Sequence, residues 1–388
     1  MGLNRKTAVI GTAIAAPPPD DPRSLEELLY DVTQAALIDA GMSIEAIDGI
    51  VVGSNDQFDG RAISVMMASG SVGGVDRDIL STPSAGEHAF VMATLRIASG
   101  LYETHLVVSW SPTEASSMAE TQRLGADPYF HRKLPLDELA GAALQANSIA
   151  SATPGVHDLA TRIAELNLNN GSHAYPAAAA QTAEAGALPW PLRDGMVSAP
   201  ATGAVALVIA SENYVAAKGL TNIAWVNGMG WATESGYLGD RDLNQAEALE
   251  AARDRAYADA GITNPLETLD VVELTDASPY QQLLVSEVLG LSARADWESD
   301  VATGIFTKHS ALAVNPSGGV ASFNPVFCTG LIRIAEAANQ VRGTAGAHQV
   351  KGAKNALAHA ASGFAMMYQS VLILGDQPKG AAACLLPA

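Results

Sequence analysis

Cysteine is scarce in this chain, whose 388 residues include two, Cys328 and Cys384. Two cysteines are too few for a disulfide framework or a cysteine-built zinc site, and they suit a reducing compartment, so we expect a cytoplasmic protein. No pair of histidines shows metal-ligand spacing, and we expect no metal in this chain. A Gly-x-Ser-x-Gly motif is also missing, which argues against a hydrolase built on that motif.

Positive charge and long apolar runs are also in short supply. The chain has 22 lysines and arginines but 41 aspartates and glutamates, and the resulting net charge of −19 would repel a nucleic-acid backbone. The longest apolar runs, residues 204–210 and 370–375, fall far short of the ~20 residues that cross a bilayer. The chain has a basic start, but the apolar stretch that follows is broken by Gly11 and runs into three prolines and two aspartates, which predicts a strand and loop rather than a signal peptide. We therefore expect a soluble protein that binds neither nucleic acid nor membrane.

Apolar residues are abundant and follow a duplicated pattern. Hydrophobic residues make up 48% of the chain and charged residues 16%. A chain of this length and apolar content can fill the core of one large domain or two medium domains. Residues 26–56 and 246–277 repeat one order, namely an amphipathic helix, the tripeptide Asp-Ala-Gly, a short connection and an apolar strand. Apolar strands that alternate with helices predict an α/β fold whose sheets are covered by helices on both faces.

The duplication divides the chain into two predicted halves, residues 1–215 and 216–388. The periodicity predicts a helix over residues 87–99 in the first half and a corresponding helix over residues 329–341 in the second. Between about residues 111 and 196 the pattern loosens. This segment predicts a loop-rich insertion that covers the first half, and such insertions commonly line binding sites.

Several segments resemble the thiolase superfamily. Residues 315–343 are similar to the thiolase segment in which an Asn-x-x-Gly-Gly turn is followed by Gly-His-Pro, a glycine-rich turn and a helix. Residues 270–277 resemble the strand that ends in Asn-Glu-Ala-Phe or His-Asp-x-Phe, and residues 200–212 resemble the segment that closes the first half. The branch most similar is that of sterol-carrier-protein-type thiolase-like and lipid-transfer proteins, near the steroid side-chain-cleaving aldolases. The resemblance implies duplicated βα halves in a five-layered αβαβα sandwich.

The same resemblance implies where catalysis takes place. It places Asp276 among the catalytic residues and Gly318 and Gly319 at the bound thioester. Thiolases carry an acyl group on a cysteine at a helix N-terminus, where the helix lowers the pKa of the thiol. Here Pro83 or Ser84 falls at that position, so transfer through a cysteinyl thioester is not expected.

Ser84 is the remaining nucleophile candidate at that helix. A serine alkoxide is much harder to generate than a thiolate, although His88 lies close in sequence and could act as a base. Glu87 follows Ser84 by three positions, and Ser-x-x-Glu is typical of a capping box. We favour the cap over the nucleophile.

A retro-aldol cleavage of a β-hydroxyacyl-CoA needs no cysteine, and the related aldolases use tyrosines as acid and base. Tyr280 follows the Thr-Asp-Ala-Ser turn closely and is our candidate for this role, although it can equally be a core tyrosine. Asn324 replaces the family's Gly-His-Pro histidine, where those aldolases carry a tyrosine, and its amide can donate to an oxyanion. His359 is the ionisable residue nearest to the family's last catalytic region.

The resemblance also implies coenzyme A, as part of an acyl-CoA substrate, and partner proteins. Arg132 and Lys133 form the compact basic pair of the insertion, which suits the phosphates of coenzyme A or plain surface. We expect a homodimer joined through the sheet edge of the first half, or a heteromer with a thiolase-like paralogue, together with a small OB-fold, zinc-ribbon protein. The alternative to a carbon–carbon lyase or acyltransferase of lipid metabolism is a non-catalytic structural subunit. The acyl group and the direction of the reaction are not encoded in any motif.

Overall fold

The computed structural model describes residues 5–60, 63–83, 85–112, 117–134, 136–178, 188–304 and 306–379. Both Ser84 and Cys384 lie outside the described residues. The strands of the described chain are β1 (Thr7–Ala15), β2 (Gly49–Gly53), β3 (Asp78–Thr82), β4 (Thr104–Ser111), β5 (Gly203–Ser211), β6 (Ala224–Thr233), β7 (Val271–Leu274), β8 (Ala313–Val314), β9 (Asn355–Ser362) and β10 (Tyr368–Gly375).

Helices lie between most of these strands. They are α1 (Leu25–Asp39), α2 (Ser64–Ser71), α3 (Gly86–Ala98), α4 (Met118–Gly125), α5 (Glu138–Ala152), α6 (Val156–Ala174), α7 (Glu212–Lys218), α8 (Glu247–Ala260), α9 (Pro265–Thr268), α10 (Pro279–Val288), α11 (Trp297–Thr303), α12 (Gly319–Ser322) and α13 (Thr329–Arg342). Short 3-10 turns occur at Ile44–Ala46, Leu238–Asp240, Arg294–Asp296 and Gly346–His348.

The strand order shows the duplication directly. The strands run β3-β2-β4-β5-β1-β6-β10-β9-β7-β8, so the second half repeats the order of the first, starting from the opposite edge. The pairing types also repeat, because β2 is parallel to β3 and β4 just as β7 is parallel to β8 and β9. The halves join where Ala8 and Val9 of β1 pair with Trp225 and Ala224 of β6. The α/β thiolase fold predicted from the sequence is confirmed, while the domain boundaries stay a prediction.

The repeated Asp-Ala-Gly tripeptide ends a helix in each half. Helix α1 begins with a capping box between Ser24 and Glu27, and α8 ends at Gly261, which adopts φ +67. Gly41, just after α1, adopts φ +63. Glycine takes this left-handed conformation without the steric cost of a Cβ, which explains why the helices stop at these positions.

Helices form three of the five layers. Helix α1 packs on β1 and β5, α8 packs on β6 and β10, and α3 and α13 pack against each other between the two half-sheets. In α13 every residue except Asn339 is buried, as expected of a helix in the central layer. The first turns of α3 and α13 approach closely, because a Cβ on Gly86 would lie 2.8 Å from the Leu331 Cβ.

The insertion differs from the prediction. Where a loop-rich segment was expected between residues 111 and 196, the described part contains α4, α5 and α6, the last two spanning 15 and 19 residues. Helix α6 buries Leu159, Ile163 and Asn167 on one face, and the polar Asn167 interrupts the apolar stripe. The prediction was wrong because tertiary hydrogen bonds satisfy polar residues on the buried face.

Across the described residues, the structure has no helix with the length and apolar character needed to cross a membrane.

Candidate active site

A cavity of about 460 Å³ lies where β7 and β9 end, between the second half and the insertion. The second half contributes the lining residues Thr275, Ala277, Gln281, Val320, Asn324, Val326, Phe327, Thr329, Ala361, Ser362, Gly363, Ala365 and Met366. The insertion and the segment leading to β5 contribute Ala119, Gln122, Asp137, Glu138, Leu139, Ala142, Leu188, Val197, Ser198, Ala199 and Pro200. Ligands of α/β proteins commonly bind at the carboxyl ends of the strands, and this cavity occupies that place.

Asn324 lines the cavity, as its position in the turn before α13 predicts. Its side-chain Nδ2 donates a hydrogen bond to the Ser198 backbone carbonyl at 3.2 Å, and the backbone carbonyl of Asn324 accepts from the Ala201 N–H at 2.8 Å. A primary amide carries two N–H bonds, so a second donor is available to a ligand. Thr329, the first residue of α13, lines the same cavity and brings the positive end of a 14-residue helix to it.

Two hydroxyl groups that were not among the predicted site residues also line this cavity. The Thr275 and Ser362 side-chain oxygens are buried and have no hydrogen-bond partner among the described residues, and both residues line the cavity. An unpaired buried hydroxyl costs stability unless a water or ligand pairs with it. Their places directly after β7 and at the end of β9 are the signal that could have identified them.

A carboxyl group from the insertion was also missed. Glu138 lines the cavity at the first turn of α5, and its Oε2 accepts a hydrogen bond from the Gln122 Nε2 at 2.8 Å. Although Glu138 keeps part of its surface open to the cavity, the surrounding protein raises its pKa above the ordinary value because burial disfavours the charged form. The sequence analysis did not single out this residue, because its segment was predicted to be loop-rich.

Tyr280 is not among the residues that line the cavity. Its side chain is fully buried in α10, where the hydroxyl lies 2.7 Å from the His157 Nδ1. Burial raises the pKa of the Tyr280 phenol. The structure therefore places the predicted acid–base tyrosine in a buried tyrosine–histidine pair, and its catalytic role stays a prediction.

His359 and Asp276 are also buried beside the cavity rather than in its wall. The His359 Nε2 lies 2.8 Å from the Gln369 Oε1, and burial lowers the pKa of this imidazole to about 4. Asp276 accepts hydrogen bonds from the Val320 N–H and the Asn167 Nδ2, both at 2.9 Å, and burial raises its pKa to about 7. Both positions suit groups that hold the strand ends in place, and their catalytic roles stay predictions.

Gly318 and Gly319 occupy a tight turn rather than an open ligand site. They adopt φ +93 and +63, and a Cβ on Gly319 would lie 2.3 Å from the Asp276 Oδ1. A Cβ on Gly318 would lie 2.5 Å from the backbone nitrogen of Gly171 in α6. The two glycines are therefore needed for close packing of the turn, and contact with a bound thioester stays a prediction.

Arg132 and Lys133 are exposed in the loop after α4 and do not line the cavity. The Arg132 guanidinium donates to the Leu124 and Ala126 carbonyls, at 2.8 and 3.2 Å. This loop belongs to the insertion that lines the cavity, and the contact of the basic pair with coenzyme A phosphates stays a prediction.

The thiolase nucleophile has no counterpart among the described side chains at this site. Helix α3 begins at Gly86 with Ala85 as its N-cap. Ser84, the predicted cap, lies outside the described residues, so its role as cap or nucleophile stays a prediction. Cys328 has no exposed surface, and its thiol points to the Gly203 carbonyl at 3.6 Å. Burial raises the pKa of the Cys328 thiol well above its ordinary range, so it is not an activated nucleophile.

Among the described residues, no group of three or more His, Cys, Asp or Glu side chains is arranged to hold a metal ion.

Sequence comparisons show which known proteins this chain is similar to. The model of the family "Thiolase C-terminal domain-like" matches residues 230–376. Sterol carrier protein 2 of rabbit is 27% identical over 385 residues, covering 90% of this chain and 68% of the relative. The human protein of that name is 41% identical over 111 residues, covering 28% of this chain and 20% of the relative. "Benzoylsuccinyl-CoA thiolase subunit BbsB" of Thauera aromatica is 30% identical over 152 residues, 39% of either chain.

Solved structures share the fold at low sequence identity. The "Ltp2-ChsH2(DUF35) aldolase" has a TM-score of 0.78 at 20% identity, covering 95% of this chain and 97% of the other. A "monomeric SCP2-thiolase like protein type 1" of Mycobacterium smegmatis has a TM-score of 0.71 at 18% identity, covering 99% of this chain and 80% of the other. Human mitochondrial 3-ketoacyl-CoA thiolase has a TM-score of 0.69 at 16% identity, covering 96% of this chain and 99% of the other. The sequence matches and the shared fold show that this chain resembles the thiolase superfamily, and in particular its sterol carrier protein 2 thiolase-like branch.

Proposed function

We propose that the protein is a thiolase-fold lyase that cleaves a carbon–carbon bond of a β-hydroxyacyl-CoA by a retro-aldol reaction. The observation that carries the proposal is the cavity itself, which presents the Asn324 amide and the start of α13 but no described thiol. One fold neighbour supports the choice, since its name is that of an aldolase. The names of human mitochondrial 3-ketoacyl-CoA thiolase and of the benzoylsuccinyl-CoA relative both contain an acyl-CoA, which is the substrate class that we propose.

The reaction requires a base and an oxyanion site. A base removes the proton of the β-hydroxyl group, the oxygen forms a carbonyl, and the bond between Cα and Cβ breaks. The electron pair of that bond forms the enolate of the thioester, which hydrogen-bond donors stabilise. Return of the proton to Cα yields a shortened acyl-CoA and an aldehyde or ketone. Asn324 and the α13 N-terminus are the donors that we assign to the enolate oxygen.

Acyl transfer through a cysteine is the less suitable reaction. It needs a thiolate that can reach the thioester carbonyl. Cys328 is fully buried, and its raised pKa opposes formation of the thiolate. A retro-aldol reaction needs no thiolate, and it uses the Asn324 amide and the N-terminus of α13, which the cavity does offer.

The assay that tests this function uses the purified chain, alone and together with a co-purified partner, and two series of esters. β-Hydroxyacyl-CoA and β-ketoacyl-CoA esters with aromatic, steroid and short-chain acyl groups are incubated with the protein, and aldehyde or ketone, acyl-CoA and free thiol are measured. The proposal predicts carbonyl product from the hydroxy series alone. With coenzyme A added, consumption of its free thiol and formation of two acyl-CoA products from the keto series would overturn it in favour of a thiolase.

A non-catalytic subunit is the second candidate, and the burial of Tyr280 and His359 favours it. We propose that in either case the chain works in an assembly with a thiolase-like paralogue or an OB-fold protein. The name of one relative contains the word subunit, and one fold neighbour pairs Ltp2 with ChsH2. If the chain is structural, a co-purified paralogue will carry all the turnover, and variants in the cavity of this chain will leave that turnover unchanged.

A further inference from the structure

The cavity has few groups that can move a proton. Among its described lining residues, the ionisable side chains are Asp137 and Glu138, both at the start of α5. Asp137 is the N-cap of that helix, and its Oδ1 accepts the Ala140 N–H at 2.8 Å. Because the capping role holds the Asp137 carboxylate against its own helix, Glu138 is the carboxyl left to meet a ligand.

Glu138 is held in place by a reciprocal pair of hydrogen bonds with Gln122 of α4. The Gln122 Nε2 donates to the Glu138 Oε2 at 2.8 Å, and the Glu138 backbone N–H donates to the Gln122 Oε1 at 2.7 Å. One amide side chain thus fixes both the carboxyl group and the backbone of Glu138. The second carboxyl oxygen, Oε1, remains available for a ligand in the cavity.

Helix α5 is itself tied to the strand ends. The Gln281 Nε2 of α10 donates to the Gln145 Oε1 of α5 at 2.8 Å, and the Gln281 Oε1 accepts the Ala277 N–H at 2.9 Å. Gln281 therefore links the middle of α5 to the turn after β7. This link sets the position of Glu138 relative to the part of the cavity that carries Asn324.

The chemistry of Glu138 suits a base. Burial raises the pKa of its carboxyl, the neighbouring Asp137 charge raises it further, and the Gln122 hydrogen bond acts in the opposite direction. A carboxylate with a raised pKa accepts a proton from a hydroxyl group more readily than an ordinary surface carboxylate. No described lysine, arginine or histidine lines the cavity to offset this effect.

We propose that Glu138 is the catalytic base that takes the β-hydroxyl proton, and that Gln122 is its positioning residue. The inference rests on the proposed retro-aldol function. The hydroxyl proton passes to the Glu138 carboxylate, the O–H electron pair becomes part of the new carbonyl, and the pair of the broken carbon–carbon bond forms the enolate. The protonated Glu138, directly or through a water, then returns the proton to Cα, so the reaction needs no further reactant.

Three variants and the parent test the inference through pH profiles of kcat/KM. Glu138→Gln is expected to lose about 10²–10⁴-fold in kcat and to lose the acid limb of the profile. Gln122→Met removes a donor that favours the carboxylate, so the acid limb is expected to move to higher pH. Glu165→Gln, an exposed change in α6, is the matched control and should behave as the parent.

A second readout separates this inference from the function on which it rests. Carboxyl groups are labelled with ¹³C, the Glu138 resonance is assigned by its absence in Glu138→Gln, and coenzyme A thioesters are added. Turnover by Glu138→Gln with an unchanged pH profile overturns the base assignment and leaves the lyase standing. Absence of parental turnover together with a ligand-shifted Glu138 resonance overturns the lyase but keeps Glu138 at the ligand. A resonance that no thioester shifts, with no turnover, overturns both.

Discussion

Asn324 is the predicted site residue that the structure brings to the cavity, and its amide is the proposed donor to the enolate oxygen. Removal of one such donor from an oxyanion site typically costs about 10²–10³-fold in kcat. We expect Asn324→Ala to lower kcat by this factor with a smaller change in KM. Asn169→Ala, an exposed asparagine of α6, is the control and should retain parental kinetics. Equal kcat values for both variants would remove Asn324 from the mechanism.

Gly319 tests the structural role of the glycine pair. Alanine at either Gly319 (φ +63) or Gly261 (φ +67) bears the cost of a left-handed backbone, about 1–2 kcal/mol. Only at Gly319 would the Cβ also overlap Asp276, whereas nothing lies within 4 Å at Gly261. We expect Gly319→Ala to reduce the free energy of unfolding by about 1–3 kcal/mol more than Gly261→Ala. Chemical denaturation measures the difference, and equal losses would show that the turn tolerates the added atom.

At the scale of elements, the central helices and strands could be predicted because their apolar residues are nearly continuous. The predicted helix over residues 329–341 corresponds to α13 (Thr329–Arg342), and that over 87–99 to α3 (Gly86–Ala98). Helix α5 was missed since its alanine-rich faces give little periodic contrast. Helix α6 was missed although its apolar residues recur at helical spacing, because the buried Asn167 and Asn170 interrupt the stripe. Their buried polar residues pair with α10 and the strand ends, which no local pattern reveals.

The turn after β7 gives a pH-dependent prediction through Asp276. The carboxyl of Asp276 titrates at about 7 in the folded protein, against an ordinary value of 3.8. Between these values the unfolded chain binds fewer protons than the folded chain, so this group makes stability fall as pH rises. The stabilising contribution of the Asp276 carboxyl to the free energy of unfolding is greatest below pH 3.8 and is lost as pH passes about 7.

We therefore expect Asp276→Asn to remove a slope of about 1.4 kcal/mol per pH unit from the free energy of unfolding in that interval. Denaturant titrations at a series of pH values measure the slope for parent and variant. Asp158→Asn, which changes an exposed carboxyl of α6, should leave the parental slope. A slope that is the same in all three proteins would contradict the raised pKa.

The site was only partly predictable for a related reason. The sequence located Asn324 because the turn before α13 resembles a family motif at that position. It could not show that Tyr280 lies in the core with His157, or that Glu138 faces the cavity. Whether a polar side chain points to a core partner or a cavity depends on contacts between segments more than a hundred residues apart, such as the Tyr280–His157 pair.

At the scale of the whole molecule, β3 is the open edge of the first half. It pairs with β2 on one side and ends the strand order. An unpaired edge of this kind can pair with a second copy, which fits the expected dimer. We expect the parent to sediment as a dimer and Leu80→Asp, within β3, to sediment as one chain. Val75→Asp, 69% exposed in the parent and outside the strand, is the control and should remain dimeric. A parent that sediments as one chain would exclude this interface.

The duplicated halves also explain how the protein can keep its fold with a changed site. Packing of α3 against α13 in the central layer depends on Gly86 and Gly330, which permit close approach without any catalytic group. The helix ends therefore stay in place whether or not a thiol is present. The chemistry depends on which side chains surround the ends of these two helices.

The stoichiometry of products from one β-hydroxyacyl-CoA ester tests the central claim most directly, measured on the parent and on Cys328→Ala. The account predicts one aldehyde or ketone for each shortened acyl-CoA, no free thiol, and the same turnover in both proteins. Release of free thiol, or loss of turnover in Cys328→Ala with the fold intact, would contradict a cysteine-independent lyase.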